Sequence, residues 1–327
     1  MSTESANNTY IFKAEDAGQR LDKALLHMFP QLNFTAVNKL CRKGQIRLDG
    51  KRVKGNERIE TGQVVKFPPV LAQQAEEGAE EGRENAIILT PAERKWLKGL
   101  ILFQDEHLLI INKPAGVPVQ AGSGHTRSLD RLMVELIEDA KPRLVHRLDK
   151  ATTGTLVFAL SRKAAAAMAY QFADRTTDKI YIAVVQGMPL ESEGIIDFAL
   201  KKTAVAETGN ERVRAVKNNK EGLTGDEAST AYKRLARKGS MQLLEAKPLT
   251  GRTHQIRAHF SIMGAPIYGD VKYGGDAFKH ENKARMFLHA HRLSFEHPET
   301  GKLMTITAPL PDYFDMFVDQ QGWAGKF

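Results

Sequence analysis

The stretch Arg143-Leu144-Val145-His146-Arg147-Leu148-Asp149-Lys150-Ala151-Thr152-Thr153-Gly154-Thr155-Leu156-Val157-Phe158-Ala159-Leu160-Ser161 decides how the chain is read. Its second half, 155–160, is a continuous apolar run of strand length, and Gly154 marks the junction before it. Its first half crowds His146, Arg147, Asp149 and Lys150 against that strand. A carboxylate so placed is partly shielded from water, which favours its neutral form, whereas a nearby arginine favours the charged one. For Asp149 to act as a nucleophile it therefore needs an arginine beside it. Arg147 is the nearest one in sequence.

Downstream, Ser161 is placed to cap an alanine-rich helix that runs to about Phe172. The spacing predicts a strand over 179–185 with apolar or aromatic residues on both faces, hence a central one. Residues 201–230 are polar and rich in Gly, Lys and Asn, and read as a mobile excursion; 241–246 returns to strand. A helix is predicted over 253–263, with Ile256, Phe260 and Met263 on one face and Gly264 and Pro266 as stop signals. Late strands follow over 285–295 and 303–307.

Upstream, 101–103 and 107–111 flank Gln104-Asp105-Glu106 and read as a hairpin, followed by a loop, Asn112-Lys113-Pro114-Ala115-Gly116. Leu129, Leu132, Met133, Leu136 and Ile137 then share one helix face behind Ser128 as cap. No internal repeat occurs, and strands outnumber helices without regular βαβ alternation. The expected class is α+β: a mixed, mostly antiparallel sheet flanked by helices, spanning 99–327.

Residues 11–70 read as a separate small α/β unit. Leu21, Leu25 and Leu26, then Phe34, Val37, Leu40 and Cys41, follow helical spacing, and Gly44 ends the second helix. Short strands at 46–48 and 64–67 lie around the Asp49-Gly50 turn, and Pro68-Pro69 closes the unit. Lys39, Arg42, Lys43, Arg47, Lys51 and Arg52, with Lys54 and Arg58, form one basic cluster. Between the units, 71–98 is expected to be a flexible acidic linker, because 73–85 is rich in Glu, Gly and Ala and lacks apolar periodicity.

With 42% hydrophobic and 26% charged residues in 327, the chain has the makings of a globular protein with a sizeable core. It has neither a run of transmembrane length nor the basic, then apolar, start of a secretory signal, so a cytoplasmic location is expected. Its single cysteine, Cys41, excludes an intrachain disulfide and reads as a core residue. The net charge of +8 favours a polyanionic partner. His254 and His259 lie about 140° apart around a helix, with no companion ligand, so no metal site is expected. A Gly-x-Ser-x-Gly elbow, a Walker A loop and a dinucleotide-binding glycine fingerprint are all absent.

Three basic segments are candidates for one site: 112–116, 146–150 and Gly251-Arg252-Thr253-His254-Gln255-Ile256-Arg257-Ala258-His259. Together with Lys179-Ile180-Tyr181-Ile182-Ala183 and Phe287-Leu288-His289-Ala290, they resemble the motifs of the pseudouridine synthase family, in its branch for large-subunit ribosomal RNA. Residues 18–68 resemble the S4 RNA-binding domain through Arg20-Leu21-Asp22-Lys23, the run 42–51 and 62–67. The first resemblance implies Asp149 as catalytic carboxylate, Tyr181 near the base, and Arg257, not Arg147, as the ion-pair partner of Asp149. It also implies Arg147 as the residue that fills the stack when the nucleotide flips out, Leu288 packing the uracil, and substrate contacts from His146, Lys113, Thr253, His254 and Gln255, the last two either touching RNA or orienting the helix that carries Arg257. The second implies that Lys39, Arg42, Lys43, Arg47, Lys51 and Arg52 rest on structured RNA.

The implied reaction breaks the N-glycosidic bond of uridine, turns the base and rejoins it through C5, with no net redox change and no cofactor. The carboxylate can add to the ribose, add to the base or take a ribose proton. A monomer acting on ribosomal RNA is expected. Transfer RNA as substrate, a non-catalytic ribosome-assembly protein on the same fold, and a glycosidase are the competing readings, and no second acid beside a motif supports the last. Ala151 stands where the family often has an acid, Thr153 where serine is frequent, and 221–230 is expanded. The stretch 119–124 resembles the branch that modifies several uridines.

Overall fold

A computed structural model describes residues 8–13, 16–29, 32–71, 87–120, 127–204, 211–216, 225–274 and 285–327. The chain divides into two compact units, Met1–Ala86 and Ile87–Phe327. No helix among the described residues is long and apolar enough to cross a membrane.

The first unit runs β1 (Thr9–Ile11), α1 (Leu21–Met28), α2 (Phe34–Arg42), β2 (Arg47–Leu48), β3 (Lys51–Arg52) and β4 (Val64–Lys66). The strands form an antiparallel sheet in the order β1-β4-β2-β3. Its core holds Leu21 and Leu25 of α1, Val37 and Cys41 of α2, and Ile46 and Val65 beside the sheet. Helical spacing thus put one apolar face of each helix inward, and Cys41 is a buried core residue. Asn33 starts α2 by accepting the Ala36 N–H at 2.9 Å. Asp49 and Gly50 turn the β2–β3 hairpin with φ of 48° and 76°, the pair of left-handed residues that a tight two-residue hairpin requires.

The second unit runs α3 (Pro91–Gly99), β5 (Ile101–Gln104), β6 (Leu108–Lys113), α4 (Leu129–Leu136), β7 (Arg143–Leu144) and β8 (Thr153–Ala159). It continues through α5 (Arg162–Ala173), β9 (Asp178–Gln186), β10 (Glu193–Asp197), β11 (Ala199–Ala204), β12 (Glu211–Val216), β13 (Ser229–Lys238) and β14 (Met241–Pro248). It ends with α6 (Gln255–Ile262), β15 (Leu288–Glu296), β16 (Leu303–Thr307) and α7 (Asp312–Gln321). The main sheet follows the order β10-β13-β14-β9-β15-β8-β6-β5, with β16 on β15 and β7 on β8. Among the described residues only β15 and β8 pair in parallel. This is the mixed, mostly antiparallel sheet expected from the sequence.

Helices cover both faces. On one, α4 packs over β6 and β8 through Leu132, Met133 and Leu136, and α6 packs over β9 and β14 through Ile256 and Phe260; Tyr181 belongs to both clusters. On the other, Phe314 and Val318 of α7 cover Ile182 and Val184, while Met168 of α5 covers Val157 and Ile110. Every residue of β8 is buried, which explains its unbroken apolar pattern. Ser161 caps α5 as its sequence predicts, accepting the Ala164 N–H at 3.0 Å. Ser128 stands at the start of α4 but bonds to Asp130 rather than to the helix backbone.

Two sequence expectations need correction. The linker was expected over 71–98, and 72–86 lies outside the described residues, but 91–99 is helix. Its signal is local: Thr90 accepts the Glu93 N–H at 3.2 Å, Glu93 accepts the Thr90 N–H at 2.9 Å, and Pro91 opens the helix. The excursion expected over 201–230 contains the antiparallel pair β11–β12 and the start of β13. Polar composition hid them because a two-stranded ribbon carries little apolar pattern; residues 205–210 and 217–224 lie outside the described ones.

Candidate active site

Asp149 sits in the turn that enters β8, and that turn is held from below. Asp149 O accepts the Thr152 N–H at 3.1 Å, and Lys150 O accepts the Gly116 N–H at 2.9 Å. Lys113 is fully buried and its Nζ donates to Pro114 O at 2.9 Å, Lys150 O at 3.0 Å and Thr152 O at 2.8 Å. Burial pushes this ammonium down to about 7, opposed by the nearby Asp149. Lys113 was expected as a substrate contact on a loop. It is instead the last residue of β6, and its three donors are spent on carbonyls, so none remains for a phosphate.

Gly154 makes the next step possible. Its φ is 109°, and a Cβ there would lie 2.3 Å from Ala290 O, so only glycine lets β8 enter beside β15. The two strands pair only at Thr153–His289 and Gly154–Ala290 and then diverge: β8 takes β7 as its neighbour, and β15 takes β16. His146 fills the fork. Its Nε2 accepts the Val157 N–H at 3.0 Å, and its ring stacks on Phe172 with centroids 4.4 Å apart. Burial pushes the imidazole down to about 3, which keeps the ring nitrogen an acceptor. His146 thus spends one ring nitrogen on the backbone while the residue remains part of the pocket wall.

Above the turn, Arg257 in the first turn of α6 points NH1 at Asp149 Oδ2, 2.9 Å away. Arg147, two positions before Asp149 in the same segment, is exposed and makes no such pair among the described residues. The arginine paired with Asp149 therefore comes from 108 positions away, as the family resemblance implied. Side-chain exposure is 8% for Arg257 and 19% for Asp149, so the pair is shielded but open on the carboxylate side. Its ion pairs keep Arg257 charged despite burial.

Two further groups face the pair. His254 begins α6 with a left-handed φ of 54°; its Nε2 stands 3.8 Å from Asp149 Oδ1, and its Nδ1 is 2.9 Å from the Tyr273 hydroxyl. Burial pushes His254 down to about 4, opposed by Asp149, so the ring is neutral at pH 7. Asp270, which the sequence reading passed over, grips the far edge of Arg257 through Nε at 2.7 Å and NH2 at 2.9 Å. The signal available in sequence was a lone acid among Ile267, Tyr268 and Val271; a carboxylate buried there requires a cation.

These residues open onto a pocket of about 260 Å³, near the lower end of the range for small-ligand sites, roughly 300–1,000 Å³. Arg147, Leu148, Asp149, Tyr181, His254, Arg257 and Leu288 line it, with Lys179 and Arg252 as further cations not chosen from the sequence. Tyr181 lies on central strand β9 between Ala246 and Ala290, small neighbours that leave room for its ring. Burial and the nearby Asp149 raise its phenol above the usual range, so it is protonated. Among the described residues its hydroxyl has no hydrogen-bond partner, and it faces the pocket.

The two remaining expected contacts, Gln255 and Thr253, are placed differently. Gln255 is buried and saturated: Oε1 accepts from Thr250 Oγ1 at 2.6 Å and Arg252 N at 3.0 Å, while Nε2 donates to Ser229 O at 2.9 Å and Thr230 Oγ1 at 3.0 Å. It fixes the turn before α6. Thr253 lies outside the pocket lining. Thr153, the departure beside the turn, is buried with its hydroxyl 2.8 Å from His289 Nδ1. Residues 121–124, whose resemblance suggested the branch, lie outside the described ones, as do 221–224.

In the first unit, Lys39, Arg42, Lys43, Arg47, Lys51 and Arg52 are all exposed. Arg47 lies directly across from Arg52 on one side and Lys66 on the other. Like charges so placed repel each other, which an anionic partner relieves. Arg47 is braced by Gly44 O and Gly50 O, both at 3.2 Å, rather than by an acid.

Known proteins resemble this chain over most of its length. The family model described as RNA pseudouridylate synthase matches residues 107–262, and the S4 domain model matches 19–65. The chain is 34% identical over 304 residues to a ribosomal large subunit pseudouridine synthase C of Vibrio parahaemolyticus, covering 90% of each chain. It is 32% identical to that of Escherichia coli K12, covering 95% of this chain and 96% of the other. The solved structure of human RNA pseudouridylate synthase domain containing 4 superposes with a TM-score of 0.57 at 28% identity, covering 70% of this chain and 95% of that one. Human RNA pseudouridylate synthase domain containing 1 gives 0.54 at 26%, covering 66% and 86%. The chain belongs to the RNA pseudouridylate synthase family, isomerases that act on RNA, and carries an S4 domain at its N-terminus.

Proposed function

We propose that this protein isomerises uridines to pseudouridine in large-subunit ribosomal RNA, with Asp149 as the reacting carboxylate. The observation that carries the reading is the Asp149–Arg257 pair, 2.9 Å long, at the open side of a pocket of nucleoside scale. Relatives named for the ribosomal large subunit, aligned over nine-tenths of the chain, support the substrate class. A monomer is the proposed state. The cytoplasm is the proposed location.

Paired with Arg257, Asp149 attacks the ribose or the base or takes a ribose proton as the N-glycosidic bond breaks. Leu288 and Tyr181 line the wall against which the freed uracil turns. Once C5 has bonded to C1′ its proton must leave, and the Tyr181 hydroxyl, with no protein partner, is placed to assist that transfer. Arg147, exposed at the rim, fills the helical stack vacated by the flipped nucleotide. In the S4 unit, Arg47, Arg52 and the neighbouring Lys39, Arg42, Lys43 and Lys51 neutralise phosphates of structured RNA and set where the second unit works.

The test is Asp149→Asn in a strain lacking the gene, with pseudouridine in ribosomal RNA mapped chemically. Loss of modification at sites restored by the unaltered protein is expected, and those sites name the substrate uridines. Equal modification by both proteins overturns the role of Asp149; sites found only in transfer RNA overturn the substrate class.

A further inference from the structure

Arg257 is held by Asp270 more fully than by Asp149, with two N–H donors against one. Asp270 is itself immobile: it is buried, and its Oδ1 also accepts the Lys272 N–H at 3.0 Å and the Tyr273 N–H at 3.1 Å. The Tyr273 ring lies over the guanidinium, 5.0 Å from Cζ to centroid, and its hydroxyl meets His254. The two side chains that face the two oxygens of Asp149 thus lead back to one short turn. A non-glycine residue held in a left-handed conformation, as His254 is, persists only where its surroundings over-determine it.

We infer that the Asp270–Tyr273 turn is the positioning element of this active site: Asp270 aims Arg257, and Tyr273 orients His254. This rests on Asp149 being the reacting carboxylate. An arginine left with one carboxylate grips it through two parallel N–H bonds, which ties up both oxygens. Asp270 occupies the Nε and NH2 edge instead, so Asp149 receives one N–H at Oδ2 and keeps Oδ1 turned toward His254 and the pocket. Where the Tyr273 hydroxyl donates to Nδ1, His254 presents its ring proton to that oxygen. The turn touches none of the reacting atoms; it acts through Arg257 and His254.

The test compares the full-length chain with Asp149→Asn, Asp270→Asn and Tyr273→Phe on an unmodified large-subunit ribosomal RNA transcript. Asp270→Asn is expected to lower kcat by about 30- to 100-fold with KM for RNA within about threefold, the mark of an interaction expressed in the transition state. Tyr273→Phe keeps the ring on Arg257 and is expected to lower kcat by about 3- to 10-fold without changing the melting temperature. On an Arg257→Lys background, Asp270→Asn adds less than about a twofold loss, because the two residues act as one unit. Unchanged kcat per folded molecule, or fully additive losses, overturns the inference and leaves the turn a purely structural feature. If Asp270→Asn does not fold, Asp270→Glu decides: a restored fold with depressed kcat supports the inference, and full kcat overturns it. An active Asp149→Asn enzyme would overturn the underlying reading instead; an inactive one beside fully active Asp270→Asn and Tyr273→Phe enzymes would sink only the inference.

Discussion

The two units use the same side chains in opposite ways. In the S4 unit, Arg47, Arg52 and Lys66 stand exposed in cross-strand register, like charge against like, and Arg47 is braced only by backbone carbonyls. In the second unit, Arg257 and Lys113 are buried, and their donors are matched to carboxylates or carbonyls. An exposed unpaired cation keeps its hydration until a phosphate replaces it and counterions leave. A buried cation must be matched in place, and in exchange it fixes geometry. On the proposed function, one unit binds a polyanion and the other holds a single carboxylate still.

This contrast assigns different observables to different cations. Arg257→Ala, which leaves Asp270 buried without its partner and Asp149 without its charge, is expected to lower kcat by about a thousandfold or more. Single-turnover kinetics on ribosomal RNA checks this, and retained activity would break the distinction. Lys113→Met leaves Pro114 O, Lys150 O and Thr152 O without their shared donor; chemical denaturation should show a stability loss of about 3–5 kcal/mol. A loss confined to RNA affinity would return Lys113 to the substrate contacts.

Arg47→Glu with Arg52→Glu should act on binding alone. KM for the full RNA is expected to rise about tenfold or more with kcat unchanged, and the slope of log affinity against log salt should become shallower by about two. The smallest effect concerns His146. Its folded value is about 3, against an ordinary value near 6.5, so between those pH values the unfolded chain binds a proton that the folded chain excludes. Its contribution is present above about pH 6.5 and is lost as pH falls toward 3, by roughly 1–2 kcal/mol at pH 5. Melting curves at pH 7 and pH 5 should show this loss, and His146→Leu should reduce it.

Features that depend on neighbours in sequence were legible. The run 155–160 sits in a fully buried strand, 303–307 is strand over the interval read, Ser161 caps its helix, and Asp49-Gly50 turns its hairpin. The order of motifs pointed past Arg147 to Arg257, and the ion pair forms where that order implied. Lys113 was misread because a lysine before Pro-Ala-Gly looks like a loop residue, and the carbonyls of Lys150 and Thr152 that bury it arrive 37 and 39 positions later. The partners of Gln255 and His146 were hidden in the same way: Gln255 bonds Ser229 and Thr230, and His146 Nε2 takes the Val157 N–H, groups that no local spacing reveals. The helix over 91–99 was different, since its capping signal Thr-Pro-Ala-Glu was present and was outweighed by the acidic stretch before it.

By itself, then, the sequence determined the periodicities, the caps, the turns and the family motifs, because each depends on a few adjacent residues or on a pattern along one element. Only the tertiary structure decided which oxygen of Asp149 meets Arg257, that Asp270 holds the other edge of that guanidinium, and that His254 answers to Tyr273. Those choices depend on distances and burial between segments remote in the chain. An ion pair in a shielded pocket takes its strength and direction from that environment, which no single stretch of sequence contains.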